Sequence, residues 1–429
     1  MHEEASVVRV GVLGCGNVGA ALVTLLADQA ASIEARSGLR LELARVAVRN
    51  LTKSRSVQLA EGILTHDAQG VVDDPDIDVV VELVGGIEPA RSLVLDALKS
   101  GKPVVTANKE LVANVGAELF AAADAAGVDL LFEAAVAGAI PVVRPLRESL
   151  AGTPIRRITG IVNGTTNYIL SRMSEQGATY ADALAEAQSL GYAERDPTAD
   201  VEGFDAGAKV AILATIAFGT SVVAGDVSHE GISGVTPADI AFAHRLGYEV
   251  KLLAVAEHGG DGRVAVRVHP AMVPRGHPLA SVRGSFNAVF IEADALGELM
   301  LYGRGAGGRP TASAGLGDVV DAAGNRRRGT YASIGAMPRA VIRPIDEVSS
   351  EYCLHLEVLD RPGVLHAVSG VFAEHGVSIR SMEQEGLGDE ARLIFITHEA
   401  AEASVQATLA SLRGLDVVDR VRSVIRVVA

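Results

Sequence analysis

Short runs of apolar residues alternate with longer segments of helical periodicity over the first third of the chain. The apolar runs predict strands, and the segments between them predict helices. Strands composed almost entirely of Val, Leu and Ile are typical of a parallel sheet that is covered on both faces. We therefore expect an α/β domain over residues 1–137. The predicted strands cover residues 7–14, 41–48, 78–86, 103–107 and 129–134, and the predicted helices lie around residues 17–28, 88–100 and 110–126.

The middle of the chain, residues 138–307, changes to a run of helices followed by a run of strands, which is typical of an α+β domain. After it, residues 308–330 are expected to pack back on the first domain, and residues 331–350 are expected to form a linker. The helices are predicted over residues 165–176, 179–190, 203–218 and 236–246, and the strands over residues 249–258, 263–273 and 287–294.

The tail, residues 351–429, has the pattern of a small unit of its own. Its strands and helices follow the order strand, helix, strand, strand, helix, strand, which predicts a ferredoxin-like βαββαβ fold. The predicted helices cover residues 363–375 and 402–413.

Composition narrows the classes of function. A chain of 429 residues is long enough for two or three domains. The net charge of −15 disfavours nucleic acid or an anionic membrane as a partner. Two distant cysteines, Cys15 and Cys353, and an acidic start with no secretory pattern predict a reducing, cytoplasmic location.

A glycine-rich turn follows the first predicted strand and opens the first predicted helix. Gly14, Gly16 and Gly19 have the spacing of a dinucleotide-binding loop, in which the backbone approaches a pyrophosphate at the helix N-terminus. We therefore predict a Rossmann-type domain in which Asn17 and Val18 also contact the cofactor. The alternative is a glycine-rich turn without a ligand.

The second strand ends without the carboxylate that usually holds the ribose 2′-hydroxyl of NAD. Arg49, Lys53 and Arg55 follow it instead. Basic side chains suit the 2′-phosphate of NADP, so NADP is the expected cofactor and NAD the alternative. A solvated basic loop with no ligand remains a second interpretation.

Two opposite charges lie inside an otherwise apolar helix. Asp205 and Lys209 are the only charged residues between Gly203 and Phe218, and their spacing places them on one helix face. A surface ion pair is the commoner meaning of this spacing, but a solvated face normally carries more charges. A buried pair is costly, so we interpret these residues as a catalytic pair.

Several long motifs together resemble homoserine dehydrogenase, and the resemblance extends over residues 7–345. This family reduces L-aspartate 4-semialdehyde to L-homoserine with NAD(P)H, on the route to threonine, methionine and isoleucine. The motifs are VVVELVGG (79–86), TANKELVA (106–113), FEAAVAGAIP (132–141), NGTTNYIL (163–170), EAQSLGYAERDPTADVEGFDAGAKVAILA (186–214) and GRGAGGRPTASAGLGD (303–318).

The resemblance implies roles for particular residues. Lys209 is the implied proton donor, with Asp205 binding substrate and orienting either Lys209 or a water molecule. Glu194 is similar to the residue that holds the substrate amino group, and Lys109 to a second lysine near the nicotinamide and the substrate. The remaining implied contacts are Thr165 to the substrate, Gly191 and Gly307 to the cofactor, and Glu133 with the carbonyls of Val136, Gly138 and Ile140 to a monovalent cation, expected to be Na⁺.

Further expectations accompany the resemblance. Residues 138–307 are expected to bind the substrate, carry the catalytic residues and form a homodimer, which the tails could extend to a dimer of dimers. Glu133 could instead be a carboxylate at a strand end with no ion. A catalytically inactive amino-acid sensor is the alternative to an enzyme. An aspartate-semialdehyde dehydrogenase is disfavoured because it needs a catalytic cysteine, and neither Cys15 nor Cys353 lies in the middle domain.

The tail resembles an ACT domain, a module that binds amino acids. The sequence DRPG leads into a helix N-terminus, which is a natural site for an α-carboxylate. Threonine is the expected effector because it is a pathway end product, and a dimerisation module with no ligand is the alternative. The candidate effector residues are Asp360, Gly363, Val364, Leu365, Ser378 and Ile379.

Overall fold

The computed structural model describes residues 6–335, 337–386, 388 and 390–428. These residues form two compact units. Unit 1 takes the described residues of 1–163, 207–227 and 286–340, and unit 2 takes those of 164–206, 228–285 and 341–429.

The strands are β1 (Ser6–Leu13), β2 (Leu39–Ala47), β3 (Leu64–Thr65), β4 (Val79–Glu82), β5 (Val104–Thr106), β6 (Leu130–Leu131), β7 (Ile155–Ile161), β8 (Ser228–His229), β9 (Tyr248–His258), β10 (Val264–Pro274), β11 (Phe286–Ala293), β12 (Gly297–Arg304), β13 (Ser349–Leu359), β14 (Ile379–Gly386), β15 (Glu390–Thr397), β16 (Ala400–Ala401) and β17 (Val418–Val427). The α-helices are α1 (Asn17–Ser37), α2 (Ala68–Asp73), α3 (Ala90–Lys99), α4 (Lys109–Ala126), α5 (Gly164–Gln176), α6 (Tyr180–Ser189), α7 (Thr198–Val201), α8 (Phe204–Phe218), α9 (Pro237–Arg245), α10 (Gly308–Arg328), α11 (Val364–Glu374) and α12 (Glu402–Arg413).

The parallel sheet expected near the N-terminus is confirmed in unit 1. Its strand order is β3-β2-β1-β4-β5-β6, and the pairs along it are parallel. The order reverses between β1 and β4, which both lie at the centre of the sheet. In open α/β sheets, ligands bind in the crevice at the carboxyl ends of the strands at such a reversal.

Helices α1 and α10 share one hydrophobic core with this sheet. By length and composition alone, α1 could cross a membrane. However, its Leu22, Val23 and Leu26 pack in the same core as Val10 and Val12 of β1, so one face of the helix is covered by the sheet. The core residues from α10 are Ala312, Leu316, Val319, Ala322 and Ala323.

Unit 1 also contains an antiparallel group of strands in the order β12-β11-β7. Strands β11 and β12 form a hairpin in which Phe290 pairs with Met300. On its other side, β11 pairs with β7, with Phe290 opposite Thr159. This group places the end of β7 and the glycine-rich segment after β12 within the same unit as the parallel sheet.

Unit 2 contains a mixed sheet in the order β9-β10-β17-β13-β15-β14. The βαββαβ pattern of the tail is confirmed, and its four long strands lie side by side as β17-β13-β15-β14. Helices α11 and α12 bury their apolar residues on this half of the sheet. The tail is joined to the middle of the chain through β10 and β17, because Ala271 pairs in parallel with Arg426 and Met272 with Val427.

The structure differs from the prediction most clearly in three regions. The strand predicted over residues 78–86 ends at Glu82, because Gly85 and Gly86 adopt positive φ angles. The strand predicted over residues 129–134 is limited to β6, because a 3₁₀ turn begins at Glu133. The glycine-rich segment after β12 had no predicted helix, yet it forms the 21-residue helix α10, whose apolar face is buried on the sheet.

Glu249 at the start of β9 is a buried charge that stabilises unit 2. Its carboxylate accepts hydrogen bonds from the Ser174 hydroxyl at 3.0 Å and from the Arg283 guanidinium at 3.1 Å. Burial alone would raise the pKa of Glu249, but the hydrogen bonds from Arg283 and Ser174 lower it to about 2.

We predict that Glu249→Gln lowers the melting temperature at neutral pH, and that its difference from the wild type shrinks as the pH falls. A carboxyl group with a lowered pKa stabilises the fold above the unfolded-state pKa, near 4.5, and this advantage is lost as the pH falls towards about 2. Thermal unfolding across this range measures the effect. The exposed Glu399→Gln is the control, and a Glu249 difference that is constant with pH would contradict the prediction.

Candidate active site

The glycine turn after β1 has the geometry that a bound pyrophosphate requires. Gly14 has a φ of 100°, and a Cβ there would lie 2.5 Å from the carbonyl oxygen of Leu83. A Cβ on Gly19 would lie 2.4 Å from the carbonyl oxygen of Gly14. In contrast, a Cβ on Gly16 would have no atom within 4 Å. Gly14 and Gly19 therefore close the turn, and Gly16 borders open space above it.

The N-terminus of α1 faces this space without a capping side chain. Gly16 is the N-cap and makes no side-chain cap hydrogen bond, and the first turn carries no acidic residue. The backbone N–H groups from Asn17 onward and the positive end of the helix dipole suit an anionic phosphate. The start of α10 lies beside it, because a Cβ on Gly308 would be 3.0 Å from the Asn17 carbonyl oxygen. Gly307, a predicted cofactor contact, is the N-cap of α10.

The three basic side chains of the loop after β2 have two different environments. Arg49 and Lys53 are exposed. Arg55 instead folds back, and its guanidinium donates to the carbonyl oxygens of Asn50 and, at 2.7 Å, of Lys53. Burial raises the pKa of the Cys15 thiol, and the neighbouring Arg55 charge partly opposes this rise. Thus Arg55 is the basic residue of this loop that lies against the glycine turn.

Glu82 organises the loop after β4 and was not identified from the sequence. It is fully buried at the carboxyl end of the strand. One carboxylate oxygen accepts the N–H groups of Val84 at 2.7 Å and Gly85 at 3.1 Å, and the other accepts the Thr106 hydroxyl at 2.6 Å. A charged residue ending the apolar run VVVE was the signal available in the sequence.

Lys109 is the first residue of α4 and follows directly from β5. The preceding Asn108 caps the helix by accepting the Leu111 N–H at 3.1 Å, and its amide donates to the Gly86 carbonyl at 2.6 Å. Lys109 is half-buried. The structure therefore places Lys109 at the carboxyl edge of the parallel sheet.

Helix α8 carries both Asp205 and Lys209, so the two side chains share a helix face. Asp205 is buried, with 8% of its surface exposed, and Lys209 is half-buried. The Lys209 ammonium donates to the carbonyl oxygen of Val162 at 2.7 Å. Val162 directly follows β7 and precedes the NGTT motif at residues 163–166, so the ammonium is fixed to the start of that motif.

The predicted substrate residues of unit 2 surround one turn. Thr165 is buried in α5, and its hydroxyl donates to the Tyr192 carbonyl at 2.7 Å. Gly191 has a φ of 75°, and the backbone carbonyl of Glu194 accepts the Gln188 amide at 2.9 Å. The Glu194 side chain is exposed. Thr165 therefore supports the turn that presents Glu194.

Glu133 is buried, and backbone N–H groups already surround its carboxylate. One oxygen accepts from Val142 and, at 2.8 Å, from Val143, and the other accepts from Arg144 at 2.9 Å. The Glu133 N–H donates to Asp318 on α10 at 2.8 Å. Burial, and then the Glu133 charge, raise the pKa of Asp318 to about 7. Glu133 was predicted from the sequence and Asp318 was not, because residues 185 positions apart show no common pattern.

The other predicted cation ligands lie in the loop that follows Glu133. Val136 and Ile140 are buried, and both Ala137 and Gly138 have positive φ angles. Such a backbone is unusual for alanine and turns successive carbonyl groups in different directions. Oxygen donors of this kind suit a hard cation. No group of three or more His, Cys, Asp or Glu side chains among the described residues could hold a metal ion.

Four of the six predicted effector residues of the tail border a cavity of 470 Å³. Asp360, Gly363, Val364 and Leu365 line it, together with Gln384 on β14. Ser378 and Ile379 are not among its lining residues. Gly363 is the N-cap of α11 and has no side-chain cap hydrogen bond, which leaves backbone N–H groups for a carboxylate.

Together, the parallel sheet, its glycine turn and the C-terminal βαββαβ module define a nicotinamide-dependent oxidoreductase with a regulatory domain. Three family models match: the homoserine dehydrogenase NAD-binding domain at residues 14–133, homoserine dehydrogenase at residues 141–320, and the ACT domain at residues 354–417. The homoserine dehydrogenase of Mycobacterium tuberculosis is 51% identical, with 99% of each chain covered. The chain belongs to the homoserine dehydrogenase family.

Other relatives agree. The homoserine dehydrogenase of Corynebacterium glutamicum is 51% identical, with 98% of this chain and 96% of that protein covered. The crystal structure of the homoserine dehydrogenase from Thiobacillus denitrificans has a TM-score of 0.93 at 43% identity, covering 99% of this chain and 98% of that one. The chain is therefore an oxidoreductase of the CH–OH group that interconverts L-homoserine and L-aspartate 4-semialdehyde, and the inactive-sensor alternative is disfavoured.

We predict that Gly16→Ala and Gly19→Ala separate cofactor binding from folding. An added Cβ at Gly16 meets no protein atom, so the melting temperature without cofactor should be unchanged, while affinity for NADPH should fall because the methyl group enters the phosphate space. At Gly19, the added Cβ collides with the backbone, so the protein itself should be destabilised.

Thermal unfolding and fluorescence titration with NADPH measure the two effects. Gly317→Ala on α10, where a Cβ also meets no atom within 4 Å, is the matched control. Unchanged NADPH affinity in Gly16→Ala would argue against a phosphate at this turn.

Proposed function

We propose that Lys209 is the proton donor to the developing alkoxide when L-aspartate 4-semialdehyde is reduced. The observation that carries this proposal is the position of the Lys209 ammonium group. The group projects from an otherwise apolar helix and donates a hydrogen bond to the Val162 carbonyl at 2.7 Å. Negative charge develops on the aldehyde oxygen during hydride addition, so a fixed cation with a transferable proton stabilises the transition state. When bound, a nicotinamide cofactor supplies the hydride.

The substrate amino group is assigned to Glu194, because an ammonium ion pairs well with an exposed carboxylate. Asp205 lies one helical turn before Lys209 and is proposed to bind the substrate while orienting either Lys209 or a water molecule. Thr165 contributes by holding the turn that carries Glu194. Lys109 is a second cation for the substrate and the nicotinamide, and Gly191 and Gly307 are backbone contacts of the cofactor.

The cofactor is proposed to be NADP, with NAD as the alternative. The glycine turn of Gly14, Gly16 and Gly19, with Asn17 and Val18, would hold the pyrophosphate. Arg49 and Lys53 would pair with the 2′-phosphate, and the third basic residue, Arg55, lies against the turn. A hyperthermophilic archaeal homoserine dehydrogenase in complex with NADPH is 30% identical with a TM-score of 0.62, covering 74% of this chain and 97% of that one, which supports the proposal.

A monovalent cation, Na⁺, is proposed at Glu133 and the carbonyls of Val136, Gly138 and Ile140. The carboxylate of Glu133 accepts three backbone N–H groups and retains one further lone-pair direction for an ion. The unusual backbone of residues 137 and 138 supports a loop built around carbonyl oxygens. The cation would stabilise this loop.

The tail is proposed to bind an amino acid effector, with threonine as the candidate, in the cavity lined by Asp360, Gly363, Val364 and Leu365. Its α-carboxylate would occupy the N-terminus of α11. We further propose that the protein forms homodimers, or dimers of dimers joined through the tails. Its proposed location is the cytoplasm, where it would act in the synthesis of threonine, methionine and isoleucine.

We predict that Lys209→Met lowers kcat for homoserine oxidation by about 10²- to 10⁴-fold, the usual contribution of general acid–base catalysis. The reduced nicotinamide absorbance with homoserine and NADP measures the rate. The exposed Lys99→Met is the control and should retain full activity. If a water held by Asp205 transfers the proton instead, Asp205→Asn will lose more activity than Lys209→Met.

We predict that the double variant Arg49→Ser/Lys53→Ser raises KM for NADP about tenfold or more and leaves KM for NAD unchanged. Loss of charge-assisted hydrogen bonds to the 2′-phosphate has this magnitude, and NAD lacks that phosphate. Arg40→Ser is the matched control, because Arg40 is an exposed cation near the opposite end of β2. No change in either KM would favour the solvated-loop interpretation.

A further inference from the structure

A second cavity, of 320 Å³, lies in unit 2 away from the cavity of the tail. Segments from the middle of the chain and from the tail both contribute to it. Its residues include His229 at the end of β8, Glu230 directly after it, Arg267 and Val268 on β10, and Asp346 before β13. A volume above 300 Å³ is sufficient for a small metabolite.

Arg267 is a buried cation of this cavity with an unused donor. Its side chain is 4% exposed, and two of its nitrogens bind the Glu257 carboxylate at 2.7 and 3.2 Å. Its Nε has no hydrogen-bond partner among the described residues. A buried donor without a partner is costly, so a ligand acceptor beside this Nε would satisfy it. Nδ1 of His229 also has no partner among the described residues. Because burial lowers the pKa of His229 and the ring already donates to the backbone of Gly203, this Nδ1 is an acceptor.

The negative charges of the cavity lie where solvent reaches it. Glu230 and Asp346 are exposed residues, whereas Arg267 is buried. The remaining charges, Glu402 and Arg426, are already paired at 2.7 Å, and Arg426 also binds Glu230. The cavity thus presents an unused cationic donor inside and the Asp346 carboxylate at its exposed side, an arrangement complementary to a zwitterion.

Residues that line this cavity also contact the beginning of α8. The His229 ring hydrogen-bonds the backbone of Gly203 and lies 4.9 Å from the ring of Phe204. A Cβ on Gly203 would be 2.8 Å from the Val268 side chain. Phe204 is the first residue of α8 and Asp205 the second. A ligand that moves His229 or Val268 would therefore act next to Asp205.

We propose that this cavity binds a free α-amino acid, with its carboxylate on Arg267 and its ammonium group on Asp346 and on Nδ1 of His229. The site is separate from the effector cavity at Asp360. Because this proposal concerns only the binding of an amino acid, it does not depend on the catalytic roles proposed above.

The test is isothermal titration of the full chain with each common L-amino acid, and with acetate as a carboxylate that lacks the ammonium group. The titrations use Asp360→Asn, which removes a predicted contact of the effector cavity. We expect one amino acid to bind this variant. Adding Arg267→Lys, which keeps a cation for Glu257 but removes Nε, should weaken binding about tenfold or more.

Circular dichroism and melting temperature verify that the variants are folded. If Arg267→Lys does not fold, His229→Phe preserves the ring on Phe204 without its nitrogens, and the surface change Asp346→Asn removes a carboxylate. Both should weaken binding. Three results would overturn the proposal: no amino acid binds Asp360→Asn, the folded cavity variants bind as tightly as their parent, or acetate binds as tightly as the amino acid.

Discussion

Gly14 lies so close to the backbone after β4 that a Cβ would come within 2.5 Å of the Leu83 carbonyl oxygen. This close approach joins the two strands at which the sheet order reverses, and it opens the space above Gly16. The segment after Leu83 is held in turn by buried Glu82, which accepts two of its N–H groups. Asn108 donates to that segment and caps α4, so the position of Lys109 depends on the same contact. One connected set of contacts, made by the backbone at Gly14 and by the side chains of Glu82 and Asn108, therefore shapes this end of the sheet.

Several charged side chains are buried or half-buried in the two units, and hydrogen bonds hold them in place. Lys209 is held by a backbone carbonyl, and Glu133 by three backbone N–H groups. In unit 2, Glu402 accepts the Tyr352 hydroxyl and the Arg426 guanidinium. Burial of such groups is costly unless hydrogen bonds compensate it. Specific hydrogen bonds therefore compensate each of these charges.

Most elements of the fold were predictable because local pattern and tertiary environment agree. The β1 run, α8 and the βαββαβ tail follow their hydrophobic periodicity closely. Helix α10 was missed because its glycines have low helix propensity, and its stability comes from the face buried on the sheet. The end of β4 was placed too late because Val and Leu continue past Glu82, although Gly85 and Gly86 turn the chain.

The sequence by itself determined the parallel-sheet and βαββαβ patterns, the glycine turn, the charged pair of α8 and the family resemblance, because each is encoded in neighbouring residues or in a short spacing. Only the tertiary structure decided that Arg55 lies against the glycine turn, that Asp318 receives the Glu133 N–H, and that Arg267 and His229 border one cavity with Asp346. These residues are distant in the chain and are brought together by strand order and burial. No local spacing in the sequence predicts these contacts, because side chains far apart in the chain become neighbours only when the sheets assemble.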